Sequence, residues 1–374
     1  MTLLRILACA LAVMLGTIGG LSARPVTVTD SLGRTVTLPA PAKRIVLAQG
    51  RQLNALGLIH PDPVSVLAGW GGDHKRQNPD AYALYRKHFP AIDAVPIIGD
   101  GATAAGFSLE KTIALSPDLV VLSRSVIERA EASGILAKLE AAGLPVIVID
   151  FFLQPLKDTV PSLRALGKAL GQEERSEAFI RFYEEKRAQI SSRLDGAAIP
   201  SVFMHAHAGG FECCSSPGRG TLNDFIAAAG GRNVAIELLP GASGQISLEH
   251  LLKLDPAIYV ATGGTHLAGT GGLVLGLGVP EDQARASFAT LLATRGLGTL
   301  SAVRNRRAYG LWHLFNDTPL HIVAIEVMAR WFHPGRFPDA DPNKTLREIS
   351  TRFSAVPLEG TLWLDSAGAT TAKP

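Results

Sequence analysis

The chain has 374 residues, of which 47% are hydrophobic and 18% are charged, so it is long enough for two domains with separate cores. Its formal net charge is only +3, and no basic segment carries interleaved aromatic residues. This balance argues against a nucleic-acid-binding protein.

Residues 1–23 have the pattern of an export signal. Arg5 precedes a small, apolar run over residues 6–18, and Leu21-Ser22-Ala23 is an acceptable cleavage site. A membrane span is the alternative, but the run is short and ends in Gly19-Gly20. We therefore expect an exported mature chain that begins at Arg24 and whose net charge falls from +3 to +2, because one arginine is removed.

Strands alternate with helices over residues 24–160. A small hairpin at 26–38 is followed by a buried strand at 44–48. The remaining predicted elements are a helix at 51–58, a strand at 64–68, a helix at 78–88, a strand at 95–98, a helix at 109–115, a strand at 119–122, a helix at 126–141 and a strand at 145–149. This alternation predicts a mainly parallel sheet with helices on both faces.

A long amphipathic helix is predicted over residues 173–194, after a shorter one at 158–170. Phe179, Phe182, Ile190 and Leu194 fall at steps of three and four, and the stem of Lys186 can lie along the same stripe. Glutamates occupy its first turns and basic residues its later ones, which suits the helix dipole. At ~1.5 Å per residue the helix spans about 33 Å, roughly the width of a small domain.

The pattern resumes after this helix. The predicted elements are a strand at 202–205, a helix at 222–229, a helix at 248–254, a strand at 258–261, a strand at 308–311 and a helix at 318–332. Residues 354–374 are small and polar, so we expect a flexible tail.

An internal repeat flanks the long helix. Ser108-Leu109-Glu110 and Ser247-Leu248-Glu249 each precede a proline, Pro117 or Pro256, that follows the glutamate by seven residues and leads into an apolar strand. A repeat of this kind is strong evidence for architecture. We therefore predict an α/β protein with an N-terminal lobe (24–160), a connecting helical segment (161–195) and a C-terminal lobe (196–353).

Ligands of open α/β sheets bind beyond the carboxyl ends of the strands. The residues predicted there are Gln49, Arg51, Trp70, Asp73, His74, Asp100, Ser123, Arg124, Phe151, Phe152, His205, His207, the loop 209–219, Thr262, His266, Trp312, His313 and Phe315. Arg51 also fits a solvated helix start, and Phe151-Phe152 also fits a plug at the edge of the lobe. Trp70 lies among glycines that cannot pack around it, which argues against a core position.

His205 and His207 alternate along a predicted strand, so both side chains are expected on one face, where they could bind a metal. Cys213-Cys214 follow closely, but no third and fourth ligand occur at the spacing of a zinc site. The cysteines fit two thiols, a disulfide or a ligand contact. Residues 263–278 are glycine-rich but lack any phosphate-binding motif, which favours a flexible surface loop.

Several segments together resemble the periplasmic substrate-binding proteins of ferric-siderophore, haem and cobalamin ABC importers. They are Asp30-Ser31-Leu32-Gly33-Arg34, residues 41–46, Ser108-Leu109-Glu110 with 117–120, residues 228–234, 246–249, 300–309 and 322–334. The resemblance covers residues 26–353 and implies two Rossmann-like lobes joined by one long helix, with the ligand between them. It also implies a monomer in the periplasm, without cofactor or catalysis, that docks through Glu110 and Glu249 onto a permease dimer with its ATPase.

The implied ligand is a small-molecule metal complex, with ferric siderophore preferred over haem, and haem over cobalamin. For an anionic siderophore, Arg51, Arg124 and Arg219 would donate charge-assisted hydrogen bonds, Trp70 and Trp312 would form apolar walls, and Phe152 and His207 complete the predicted site. Haem would need an axial ligand such as His74, His205 or His207. The alternative class is a secreted α/β metalloenzyme using His205 and His207, with Asp100, Asp150 or Glu212 as acid or base.

Overall fold

A computed structural model describes residues 25–101, 106–130, 134–294 and 296–365. The predicted signal segment, its cleavage site and Arg24 lie outside these residues. Within the described part of the chain, no helix combines the length and apolarity needed to cross a membrane.

The first lobe is a parallel sheet of five strands. The strands of this lobe are β1 (Val26–Thr29), β2 (Thr35–Leu38), β3 (Ile45–Leu47), β4 (Leu67–Gly71), β5 (Ile97–Gly99), β6 (Leu119–Ser123) and β7 (Val146–Ile149). The sheet has the order β5-β4-β3-β6-β7, and β1 and β2 form a separate antiparallel hairpin. The predicted strand at 64–68 lies three residues later in the structure.

Helices cover this sheet. Their bounds are Leu53–Leu56, Asp73–Gln77, Pro79–His88, Leu109–Ala114, Arg124–Ala130, Ile135–Ala141 and Pro155–Ala169, with 3-10 turns at Gly50–Gln52 and Pro90–Ala94. The single helix predicted over 126–141 is wrong, because two helices occupy this region. Gly134 precedes the second one with a φ of 64°, a left-handed conformation that does not continue a helix.

The connecting helix spans Glu173–Leu194, the range expected from its periodicity. Phe179, Phe182 and Ile190 on its stripe are buried. Lys186 Nζ donates to Thr345 Oγ1 at 2.9 Å and lies 3.5 Å from Glu326 Oε1, both in the C-terminal part of the chain. The stripe therefore faces the second lobe as well as the helix Pro155–Ala169.

The second lobe is built on another five-stranded sheet. Its strands are β8 (Ser201–His205), β9 (Ser215–Pro217), β10 (Arg232–Asn233), β11 (Ser243–Gln245), β12 (Ile258–Gly263), β13 (Gly276–Leu277), β14 (Ala308–Trp312), β15 (Gly360–Thr361) and β16 (Trp363–Asp365). The main sheet has the order β10-β8-β12-β14-β16 and is parallel except for β16. The predicted fold class, two mainly parallel α/β lobes joined by a long helix, is confirmed.

The helices of this lobe include two that the sequence patterns did not predict, at Glu281–Leu292 and Pro342–Arg352. The others are Thr221–Ala228, Leu248–Leu254, Ser301–Arg304 and His321–Phe332, with 3-10 turns at Ile236–Leu238, Thr265–Thr270, Leu297–Thr299 and His313–Phe315.

Two segments expected to be mobile are part of the packed lobe. Residues 354–365 are not a loose tail, because β16 pairs with β14 and Leu362 and Leu364 are buried at the sheet edge. The glycine-rich segment 263–278 is not a flexible surface loop either, since Leu273 and Leu275 are fully buried. In both segments a few leucines among small residues are enough to anchor the backbone, because each covers apolar surface that would otherwise face water.

Side chains from the two lobes meet beside the cleft. Asp80 of the first lobe accepts hydrogen bonds from Thr265 Oγ1 and from the backbone N–H of Leu277, both at 2.9 Å. Asp317 of the second lobe lies 2.6 Å from Arg51 Nε and accepts from Gln52 Nε2 at 3.0 Å. These two polar bridges border the space between the sheets.

Candidate functional site

A cavity of about 490 Å³ lies between the lobes, within the usual size range of ligand pockets. It is bordered by the segments that follow β3, β7, β8, β12 and β14, so the carboxyl ends of both parallel sheets face it. Its lining includes the side chains of Arg51, Phe152, His207, Phe211, His266, His313 and Asp317.

Three histidines meet on the second-lobe side of the cavity. His207 Nδ1 lies 3.0 Å from His266 Nε2, so these two rings share a hydrogen bond. The rings of His207 and His313 overlap with centroids 3.7 Å apart, and His313 Nδ1 lies 2.9 Å from Thr262 Oγ1. Among the described residues, each ring therefore has one nitrogen without a protein partner: Nε2 of His207, Nε2 of His313 and the buried Nδ1 of His266.

These histidines are neutral at neutral pH. Burial, followed by the charge on His266, lowers the pKa of His207 to about 4. Burial also lowers the pKa of His266, and it lowers that of His313 well below 6.5, with further contributions from His207, His266 and Arg51. A neutral imidazole keeps the lone pair that binds a metal ion.

The described part of the chain places a single arginine and no lysine in the lining of the cavity. Arg51 lies 2.6 Å from the Asp317 carboxylate and 3.7 Å from that of Asp73. Burial is the main reason that the pKa of Asp73 rises to about 6, whereas Arg51 acts to lower it. Because its charge is already balanced, Arg51 adds little attraction for an anionic ligand.

Aromatic rings complete the walls. The guanidinium carbon of Arg51 lies 6.0 Å from the centre of the Phe152 ring. Phe211 stands edge-on to His207 with ring centroids 6.2 Å apart, yet 69% of its surface is exposed. An exposed phenylalanine at a cavity offers apolar contact area to a ligand.

Of the residues predicted for the ligand site, Arg51, Phe152 and His207 line the cavity, and their ligand roles stay predictions. His266 and His313 belong to the site but stood in the sequence only as two of many residues at strand ends. The signal that could have selected them is that three strands of one predicted sheet are each followed closely by a histidine.

The predicted walls of Trp70 and Trp312 are wrong, because both side chains are 1% exposed and belong to the core. The ring of Trp70 lies 5.6 Å from that of His74 and 6.1 Å from that of Tyr82. Neighbours in sequence do not reveal such packing, since these aromatic partners come from the two helices that follow β4. His74, a candidate haem ligand, is buried in the same cluster.

Arg124 and Arg219 do not line the cavity together with Arg51. Arg124 begins the helix Arg124–Ala130, where its guanidinium lies 2.8 Å from Asp158 and 3.0 Å from Glu128. Arg219 is exposed in the turn after β9, away from the cavity lining. In the described part of the chain, Arg51 therefore lines the cavity without Arg124 and Arg219, and the ligand roles predicted for these two arginines find no support in the cavity lining.

We expect Arg124→Ala to leave ligand binding unchanged and to lower the free energy of unfolding by about 2–3 kcal/mol, because it leaves the buried Asp158 carboxylate without its partner. Urea unfolding and a ligand titration measure the two effects. The exposed Arg219→Ala is the control and should change neither quantity. If Arg124→Ala bound the ligand more weakly without any loss of stability, Arg124 would be a ligand-binding residue after all.

His205 and His207 do not share a strand face as predicted. β8 ends at His205, and His207 has a φ of 49°, which turns its side chain into the cavity. His205 is buried, with Nδ1 2.7 Å from the Tyr259 hydroxyl. Cys213 and Cys214, whose state the sequence left open, form a disulfide with each other.

Glu110 and Glu249 occupy equivalent positions in the two lobes. Each is exposed in the first turn of a short helix, Leu109–Ala114 or Leu248–Leu254. The preceding serines cap these helices, since Ser108 Oγ accepts from the N–H of Lys111 and Ser247 Oγ from that of His250. The repeat seen in the sequence is thus matched in local structure.

The chain matches a known protein family and resembles solved structures. Residues 71–312 match the family described as periplasmic binding protein. A TroA-like periplasmic binding protein, FepB from Veillonella parvula, is 27% identical, with a TM-score of 0.82 over 91% of this chain and 99% of that one. A comparison with curated protein sequences finds no significant match.

More distant structures share the fold. The molybdate periplasmic binding protein MolA of Haemophilus influenzae is 17% identical, with a TM-score of 0.67 over 89% of this chain and 99% of that one. A periplasmic heme binding protein from Pseudomonas aeruginosa is 22% identical, with a TM-score of 0.55 over 88% of this chain and 99% of that one.

The two lobes, the connecting helix and the cleft define a substrate-binding protein of the ABC-transporter class. The chain belongs to the periplasmic binding protein family, since the family match spans more than half of it. Proteins of this family work with an ABC permease and its ATPase.

Proposed function

We propose that this protein is the periplasmic receptor of an ABC importer for an iron complex, and that it binds the complex through imidazole coordination of the iron. The observation that carries the proposal is the set of neutral histidines in the cleft, with Nε2 of His207 and His313 left for a ligand. Imidazole is a good ligand for iron. The choice of iron rests on the family resemblance, and the choice of imidazole rests on the geometry.

The form of the complex follows from the same residues. In the described chain the three cleft histidines do not bring their donor atoms within 4.8 Å of one another, so they do not make a closed site for a bare ion. One or two imidazoles can instead complete the coordination of iron that a chelator already holds. A siderophore that leaves coordination positions open fits this requirement better than one that fills them all.

Haem is the second candidate, favoured by the apolar part of the wall. Phe152, Phe211 and Leu314 line the cavity beside the histidines, and Phe211 is largely exposed. A planar porphyrin would cover such side chains while one histidine binds its iron axially. Cobalamin has no specific observation in its favour.

We propose no catalytic role. An enzyme that used the cleft histidines would need an acid or base beside them. Asp150 was one candidate for this role, but its carboxylate is occupied by other hydrogen bonds. Its carboxylate accepts the backbone N–H groups of residues 152–154 at 2.7–2.9 Å, and burial raises its pKa to about 6. Of the other two candidates, Glu212 is exposed, and neither Asp100 nor Glu212 lines the cavity. We also propose that the receptor is a monomer without a resident cofactor.

The test uses an iron(III) complex of a tetradentate bis-catecholate, which leaves coordination positions open, and a hexadentate complex that leaves none. We expect the tetradentate complex to bind more tightly and its visible charge-transfer band to shift when imidazole joins the iron. His207→Ala should weaken this binding by about 10–100-fold and abolish the shift.

His250→Ala is the matched control, because His250 is exposed on the helix Leu248–Leu254, outside the cavity lining. It should bind both complexes like the unmodified chain. Equal affinity for the two complexes, together with no effect of His207→Ala, would refute imidazole coordination. A Soret band with haemin that depends on His207 and exceeds chelate affinity would favour haem instead.

A further inference from the structure

A second cluster of metal-ligating side chains lies apart from the cleft histidines. Donor atoms of His205, Cys213 and Cys214 all lie within 4.8 Å of one another, and this is the one such group of three in the described chain. Ligands around a tetrahedral zinc ion are roughly 3.5–4 Å apart, so the three side chains lie close enough to share one ion once the two sulfur atoms are no longer bonded to each other. In the disulfide state the two sulfur atoms are bonded to each other and cannot bind the ion.

The backbone holds these ligands in place. The N–H of Cys214 donates to the carbonyl of Ile246 at 2.8 Å, and the N–H of Ile246 returns a bond to the Cys214 carbonyl at 3.0 Å. The N–H of Ala206 donates to the Ser215 carbonyl at 2.8 Å, which fixes the end of β8 against β9. The backbone at Cys214 and at the end of β8 is therefore held by hydrogen bonds that do not involve the disulfide.

His205 has the arrangement of a metal-binding histidine. Its Nδ1 lies 2.7 Å from the Tyr259 hydroxyl, which leaves Nε2, within the described residues, as the ring nitrogen without a protein partner. Metal-binding histidines commonly use their second nitrogen in such a bond, because it fixes the ring and its tautomer. Tyr259 itself is fully buried, so this orientation is held firmly.

We propose that the reduced chain holds a redox-gated site for a divalent thiophilic ion such as Zn²⁺, bound by the Cys213 and Cys214 thiolates and His205. A dithiol reductant opens the site: its two thiols become a disulfide, and the Cys213–Cys214 disulfide becomes two thiols. Binding of Zn²⁺ then releases the two thiol protons. Two thiolates and a divalent ion sum to zero charge, which suits a site whose His205 and Cys214 are buried.

The site borders the ligand cavity without belonging to it. Ala206 and Ser215 line the cavity, and they directly follow His205 and Cys214 in the chain. The proposal does not rest on the function proposed above, since the cleft histidines take no part in it.

The test is metal binding by the full mature chain, fully reduced under anaerobic conditions and compared with its oxidised form. We expect the reduced protein to take one equivalent of Zn²⁺ from a chromophoric chelator and the oxidised protein to take none at this site. With Co²⁺, the reduced protein should show a thiolate-to-cobalt charge-transfer band in the near-ultraviolet. Cys213→Ser with Cys214→Ser should abolish the band and weaken Zn²⁺ binding by more than about 100-fold.

His207→Ala is the control that separates this site from the cleft, and it should keep both the band and the affinity. Tyr259→Phe should weaken Zn²⁺ binding by about tenfold while keeping the band, because the ligands remain and only the partner of His205 is lost. The oxidised and reduced proteins have the same sequence. Comparing them therefore tests the site even if one of the substituted variants fails to fold. Equal Zn²⁺ affinity in the two redox states, or no thiolate band with Co²⁺, would overturn the proposal.

Discussion

Glu110→Arg combined with Glu249→Arg should abolish uptake of the proposed iron complex in cells while leaving ligand binding by the purified protein unchanged. Both side chains are exposed, and neither lines the cavity. Each stands in the first turn of a short helix whose start is capped by a serine, so its backbone position is rigid. The double change reverses charge at two fixed points without disturbing the core.

The alternative explanation is that each glutamate only stabilises its own helix, which is worth about 0.3–1 kcal/mol. That explanation accounts for one acidic residue at a helix start. It does not account for the same arrangement at equivalent positions in two lobes that a 22-residue helix joins. Two carboxylates at a fixed separation can instead meet basic residues on the two halves of a permease, which sets orientation more than affinity.

Two measurements decide between these explanations: titration of the purified variant with the tetradentate iron complex, and uptake of labelled iron from it by cells that depend on the protein. Glu173→Arg with Glu174→Arg is the matched control, because these exposed glutamates also begin a helix and the charge change is the same. The control should support normal uptake. Normal uptake by the Glu110 and Glu249 variant would leave both residues with a purely structural role.

The protein should lose stability steeply between about pH 6.5 and pH 4, because buried histidines stay neutral in the folded chain. Burial lowers the pKa of His74 and His321 to about 3 and that of His205 and His207 to about 4, and it lowers the pKa of His313 well below 6.5. A base with a lowered folded pKa contributes stability that is present above pH 6.5. That stability is lost as the pH falls towards the folded pKa.

Buried carboxyls act in the opposite direction. Burial raises the pKa of Asp73 and of Asp150 from 3.8 to about 6. Their contribution is present below pH 3.8 and is lost as the pH rises through 6. Near pH 5 the unfolded chain therefore binds five more protons on the histidines and two fewer on these carboxyls, a difference of three. The effect of the histidines is therefore larger than that of the carboxyls. Near pH 5 the free energy of unfolding should fall by about 4 kcal/mol for each pH unit of acidification.

Urea unfolding at a series of pH values between 7.5 and 5 measures this slope. His321→Leu removes one of the buried bases, so its slope should be smaller by about 1 kcal/mol per pH unit even if the variant is less stable throughout. The exposed His250→Gln should leave the slope unchanged. A stability that is flat or rises on acidification through this range would show that the buried histidines are already protonated in the folded chain.

The predictions from sequence succeeded where one segment decides its own structure. The connecting helix has the same bounds in the structure as in the periodicity, because its apolar stripe and its flanking glycines are local features. The repeated Ser-Leu-Glu segments likewise form capped helices, since a serine cap needs only the next three residues. Alternation of strands and helices was sufficient for the fold class.

Predictions failed where the partner of a side chain lies far away in the chain. Arg124 was expected in the cleft because it follows a strand, but it pairs with Asp158, 34 residues later. Trp70 was expected outside the core because its neighbours in sequence are glycines, but its aromatic partners lie on later helices. Residues 354–365 were expected to form a flexible tail, but residues 363–365 form the strand β16 and pair with β14.

Local sequence patterns and their order were sufficient to predict the two-lobed α/β fold, the helix between the lobes, the repeated glutamates and the family. The composition of the site depends on contacts between distant parts of the chain. His207, His266 and His313 follow three different strands, and they meet because parallel strands of one sheet bring their carboxyl ends to the same edge. Which of the many strand-end residues turn into the cleft depends on backbone angles such as the positive φ of His207 and on ion pairs that occupy the arginines.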